Sequence, residues 1–265
     1  MIDLLYDTLR LTLWLGLLAA VFVPLERRFA LHQAPVLRAQ WQADLGHYFF
    51  NGLVLPFLLA LPLGLLSSLA QRWMPDAWLN GLSALPWGAR LGLSLLVAET
   101  GFYWGHRLSH TWPWLWRFHA VHHSAGQMDF LVNTRAHPLD MLFTRLLGLA
   151  PLYALGLAGA STAGSTMPVA VILLGTVWGF FVHANVRWRF GPLEWLVATP
   201  AFHHWHHSLH EPVNRNYAAM LPMVDWMFGS LHLPRSWPSA YGCETAVPDR
   251  LVGQWLSPWR RRGLR

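Results

Sequence analysis

The feature that most constrains this chain is the stretch 48–70, 23 consecutive residues without Asp, Glu, Lys, Arg or His. At 1.5 Å per residue, a helix of that length crosses the hydrocarbon core of a bilayer. Only a helix or a closed barrel can do so with every backbone N–H and C=O paired. Pro56 and Pro62 inside the stretch predict kinks rather than an end, because neighbouring helices re-satisfy the freed carbonyls. Four further apolar stretches enter or span the membrane: 9–25, 91–105, 146–160 and 167–184. The third of the five is apolar apart from Glu99 and runs directly into His106. The last two flank a small-residue turn, 159–164, which reads as a hairpin dipping in and returning. The expected fold is an all-α integral membrane protein with about four to five transmembrane or re-entrant helices. A histidine-rich helical cap completes one membrane domain over residues 1–265.

Composition agrees with a bilayer as solvent. Charged residues make up 12% of the chain, about half of what soluble domains carry. The 17 Trp residues suit the headgroup level, and Trp112, Trp114 and Trp116 read as part of an interfacial belt. A single cysteine, Cys243, excludes an intramolecular disulfide framework and a Cys-based zinc or iron–sulfur site. The net charge of +6 comes from scattered Arg residues, with no basic face that would suit a nucleic acid. Arg27, Arg28, Arg38, Arg107, Arg117, Arg135, Arg145, Arg187 and Arg189 all follow the first, third or fifth segment, whereas Arg72 and Arg90 lie on the other side. The positive-inside rule therefore predicts a multi-pass protein in contact with membrane lipids, its histidine-rich segments cytoplasmic. The opening Met1-Ile2-Asp3 lacks a basic n-region, so no removable signal peptide is expected.

Fifteen histidines matter less for their number than for their spacing. His106 and His110 are four residues apart and share a helix face. His119, His122 and His123 form HxxHH, and His203, His206 and His207 repeat it. At this composition about 0.05 such matches are expected by chance, so two are informative. His137 follows Arg135 and precedes Pro138; His183 precedes Ala184 and Asn185. Neutral imidazole binds iron, zinc and copper. Ten candidates, namely the eight clustered residues with His137 and His183, suit two ions with about five ligands each and a position left open. Zinc has no redox chemistry, so two redox metals beside an apolar phase point to O2 activation. An all-imidazole shell is expected to lose metal as pH falls through about 6.5, where free imidazoles protonate. His32, His47, His204, His210 and His232 are expected bystanders.

These motifs resemble the fatty acid hydroxylase/sterol desaturase superfamily over roughly residues 90–230. The resemblance rests on His106-Arg-Leu-Ser-His110, His119-Ala-Val-His122-His123 after eight residues, and the cluster at His203–His207. It also includes Tyr103-Trp104-Gly105-His106-Arg107, Arg135-Ala-His137-Pro138, His183-Ala-Asn185 and Asp225-Trp-Met-Phe-Gly229. The family commonly has Asp where this chain has Glu99, and Asn-Tyr-Gly where it has Asn216-Tyr217-Ala218. The resemblance implies two non-haem iron ions on the cytoplasmic side and O2 as co-substrate. It also implies hydroxylation or desaturation of an unactivated C–H bond in a hydrophobic, lipid-like or sterol-like substrate. The chain has no room for a haem domain, so electrons are expected from a separate donor, cytochrome b5-like or a ferredoxin/reductase. Glu99, two turns before His106, is a candidate to orient an imidazole, as are Asn185 and Asp225; a Glu99–Arg90 pair is the alternative. Two other functions compete. A His-rich metal transporter would place ionisable residues in mid-membrane along several helices, where only Glu99 qualifies. A zinc-dependent membrane hydrolase would carry a Glu inside a cluster, as HExxH does, and none is present.

Overall fold

The computed structural model describes residues 2–158, 166–210 and 212–260. Among the described residues there are α-helices, short 3-10 turns and two isolated antiparallel bridges, but no strand. The first four helices are α1 (Ile2–Phe29), α2 (Trp41–Trp73), α3 (Asp76–Ala84) and α4 (Trp87–Thr111). Next come α5 (Pro113–His123), α6 (Pro138–Ala154) and α7 (Thr166–His183). Short helices α8 (Pro200–His206), α9 (Met223–Met227) and α10 (Leu251–Leu256) follow.

Helices α1, α2 and α7 are long and apolar enough to cross a membrane, and α3 with α4, bent by 114°, makes a fourth candidate span. Their outward faces fit that solvent: Leu9, Leu13, Leu17 and Val21 on α1, and Phe57, Leu61 and Leu65 on α2, are exposed. Pro56 and Pro62 lie inside a single continuous α2. The expected segment 146–160 is realised differently. Helix α6 starts at Pro138, ends at Ala154 after 17 residues, and fills the space between α2 and α4 rather than qualifying as a span. The turn expected at 159–164 lies outside the described residues.

Glycine brings α4 and α6 together backbone to backbone. A Cβ on Gly101 would stand 2.1 Å from the Leu147 carbonyl oxygen, and one on Gly148 would touch the Ala98 carbonyl at 3.4 Å. Such small-residue contacts let membrane helices approach closely, where dispersion, not water exclusion, holds them. Leu55, Leu59, Leu63, Leu82, Leu149 and Leu152 form the apolar core around this contact. Phe22 on α1 stacks on Phe130 with centroids 5.7 Å apart, joining α1 to α7 through Phe180. The Ala30–Val186 bridge then fixes the end of α1 beside the end of α7. The C-terminal turns of α4 and α7, together with α5 and α8, thus share one end of the bundle.

Candidate metal centre

Nine imidazoles converge at that end in two groups. His106, His110, His119, His123 and His206 form the first, and His122, His183, His203 and His207 the second; within each, one ring nitrogen per residue lies within 4.8 Å of all the others. Helical geometry sorts them. His106 and His110 come from one face of α4, and His119 and His123 from one face of α5. His122 falls between the latter two on the turn and enters the second group. In α8 the sorting is reversed: His203 and His207 enter the second group and His206 the first. Thr199 caps α8 by accepting from Phe202 N–H at 3.4 Å, and Pro113 and Pro200 open α5 and α8 at their first position.

The outward ring nitrogens fix the tautomers. His106 Nδ1–H donates to the Tyr217 carbonyl at 2.6 Å and His119 Nδ1–H to Asp140 Oδ2 at 2.9 Å. His122 donates to Arg135 O at 2.9 Å, His183 to Gly179 O at 2.6 Å, and His206 to Arg215 O at 2.8 Å. With the proton on Nδ1, each Nε2 presents a lone pair inward. Yet His106 and His119 Nε2 face one another at 3.1 Å, and His122 and His183 Nε2 at 3.3 Å. Two acceptors at that distance repel unless a cation lies between them. His203 Nε2 adds contacts of 2.9 Å to His183 and 3.1 Å to His207. Nitrogens bound at about 2.1 Å to one ion stand about 3.0–3.4 Å apart. Nε2 of His110, His123 and His206 is buried with no hydrogen-bond partner. The donor set therefore fits two metal ions. Burial, reinforced by His119, pushes the His122 imidazole down to about 4. Burial likewise holds His123, His203, His206 and His207 well below the ordinary imidazole range, so all are neutral and able to bind metal.

His137 is not brought into either group. Its Nε2–H donates to Trp255 O at 3.1 Å and its Nδ1 accepts from Leu139 N–H at 3.2 Å, which caps α6 and leaves no free nitrogen. The reason is the proline: His137 sits at the N-cap of α6, with extended backbone, facing the C-terminal segment. Glu99 contacts neither an imidazole nor Arg90. Its Oε1 accepts from the N–H groups of Ala219, Met220 and Leu221, at 2.5, 2.9 and 3.3 Å. Asp225 grips the same loop through Tyr217 N–H and Ala218 N–H, both at 2.8 Å. The two acids thereby hold the Tyr217 carbonyl that orients His106. Asn185 clamps the backbone of His32 instead. His204, between candidate ligands in sequence, is engaged by Tyr241 Oη and Ala184 O at 3.0 and 3.1 Å. His32, His47, His210 and His232 also lie outside both groups. Trp112 and Trp114 are exposed as a belt requires, but Trp116 packs on His110 and His123 at 5.2 and 5.6 Å.

Two supports went unread in the sequence. Asp140 is buried; burial raises its carboxyl, but the facing imidazoles, His119 foremost, bring it below its ordinary value. Its signal is a lone acid in the apolar run after Pro138. Arg135, fully buried, pairs through Nε with Asp44 Oδ1 at 2.6 Å, and Arg38 pairs with Asp44 and Asp129. This network ties the carbonyl beneath His122 to the start of α2. Asp44 and Arg135 are 91 positions apart, so local pattern could not pair them.

Fold and site together define a helical membrane protein with two adjacent groups of histidines whose donor sets fit metal ions. The chain belongs to the fatty acid hydroxylase family, whose model matches residues 91–230, just over half of it. It is 36% identical over 199 residues to the ornithine lipid hydroxylase OlsE of Rhizobium tropici, covering 73% of this chain and 55% of that one. It is 28% identical over 198 residues to alkylglycerol monooxygenase of Danio rerio, covering 70% and 42%. Methylsterol monooxygenase 2-2 of Arabidopsis thaliana is 29% identical over 143 residues, covering 54% and 52%. The chain thus spans about half the length of these relatives. No solved structure matches it.

Proposed function

We propose that this protein is an O2-dependent oxidoreductase that hydroxylates or desaturates an unactivated C–H bond of a membrane lipid. The observation that carries the reading is the pair of inward lone-pair contacts, His106–His119 and His122–His183, in two adjacent groups. His106, His110, His119, His123 and His206 would hold one iron ion, and His122, His183, His203 and His207 the other. Bound iron would supply the redox chemistry with O2 that no side chain provides. The chain's own residues fix the His106, His119, His122, His183 and His206 rings through Nδ1, and burial holds His122, His123, His203, His206 and His207 neutral. Hydroxylation consumes the C–H substrate, O2, two electrons and two protons, and yields an alcohol and water. The electrons require a separate donor protein, cytochrome b5-like or ferredoxin-like. The relatives' names (ornithine lipid, alkylglycerol and methylsterol) all denote amphiphiles, which fits a substrate that reaches the centre from the bilayer. Arg27, Arg28, Arg187 and Arg189 lie at the histidine end, joined by the Ala30–Val186 bridge, and Arg72 and Arg90 at the other; this supports a cytoplasmic centre.

The test is metal analysis and O2 uptake on protein made with iron. About two iron ions per chain, and reductant-dependent O2 uptake with lipid, are expected. Tightly bound zinc with no O2 uptake under any reductant would overturn the reading. Lipid profiles of cells with and without the protein then identify the substrate.

A further inference from the structure

Where the outward nitrogens of these rings have hydrogen-bond partners, the partners differ in charge. His106, His122, His183 and His206 donate to main-chain carbonyls, which are neutral dipoles. Among the described residues His119 alone meets a carboxylate, with Nδ1 2.9 Å from Asp140 Oδ2. Asp140 is itself held: Ser109 Oγ donates to its Oδ1 at 3.2 Å. Serine, imidazole and carboxylate come from α4, α5 and α6, and the Gly101 and Gly148 contacts hold α4 against α6, the two helices that carry Ser109 and Asp140. The contact is therefore built into the bundle rather than made by a loose side chain.

A full negative charge on Nδ1–H raises the electron density at Nε2 more than a carbonyl dipole does, and orients the ring more firmly. The second group has no such partner. Nδ1 of His203 and of His207 is buried with nothing to donate to. Resting on the metal-centre reading above, we infer that Asp140 is a positioning residue that makes the two metal positions unequal, strengthening His119 as a donor to the first. The ion in the first group is held more tightly, and the anion offsets part of its buried charge.

The experiment is an anaerobic titration of metal-stripped, full-length protein in nanodiscs with 57Fe2+, read by binding isotherm and Mössbauer spectrum. Wild-type protein is expected to bind two ions in two classes. Asp140→Asn, which keeps the shape and removes the charge, should weaken the tighter class about 10–100-fold and move one of two quadrupole doublets. The other class should stay within about threefold, and its retention shows that the variant is folded. Asp140→Glu should recover part of the loss, and Ser109→Ala should shift the same class by less. If Asp140→Asn does not fold, Ser109→Ala, which leaves the carboxylate in place, carries the same comparison. Equal weakening of both classes, or none, would mean that Asp140 merely packs α6 on α4 and would overturn the inference. Wild-type protein that binds fewer than two ions would overturn the metal-centre reading as well.

Discussion

The rings of His122 and His123, neighbours in the chain, stand at 90° with centroids 5.4 Å apart and enter different groups. One residue along a helix rotates the side chain by about 100°, so neighbours diverge while residues four apart converge. His206 and His207 divide in the same way from α8, and His123 stacks on His207 at 4.4 Å across the boundary. Each HxxHH motif therefore contributes rings to both groups.

His122→Ala and His123→Ala should each leave about one metal ion per chain instead of two, at different positions. Metal analysis with the Mössbauer spectrum of each variant checks this. The same doublet lost in both would contradict the division.

His137→Ala should keep the full metal complement, because both of its ring nitrogens serve α6 and the C-terminal segment. Losing the cap and the Trp255 contact should cost about 1–3 kcal/mol of stability. Thermal unfolding in detergent measures the loss, and a drop in bound metal would return His137 to the ligand set.

Metal-free protein should lose stability as pH falls from about 6.5 to about 4. The His122 imidazole drops from 6.5 to about 4 on folding, so below 6.5 the unfolded chain binds a proton that the folded chain refuses. Its contribution is fully present above 6.5, and losing it costs on the order of 3 kcal/mol by pH 4. Denaturant unfolding at stepped pH reads this slope. With metal bound, release should begin well below 6.5 rather than at the ordinary imidazole value, since burial resists protonation. Release complete by pH 6 would show an open, hydrated shell.

Gly101→Ala should be severely damaging, because its Cβ would meet the Leu147 carbonyl at 2.1 Å and force α4 from α6. A loss of about 3 kcal/mol or more is expected, with weaker metal binding because α4 carries His106 and His110. Gly175→Ala, with nothing within 4 Å of its Cβ, should change little. Thermal unfolding of the pair distinguishes packing from helix propensity.

The sequence by itself determined the all-helical membrane character and nine of the residues that meet at the centre. Both follow from local rules: uncharged length, and the helical spacing that puts imidazoles on a shared face. It could not place His137, because a proline-initiated helix turned that ring toward Trp255, far along the chain. Nor could it reveal that Glu99 grips the backbone at 219–221, or that Asp140 meets His119. Which histidine joins which group was decided only by the packing of α4, α5, α7 and α8, since a motif fixes relative angles within one helix but not where a second helix stands. The backbone contact at Gly101 and the buried Arg135–Asp44 pair set those positions across 46 and 91 residues, and only the folded bundle closes such distances.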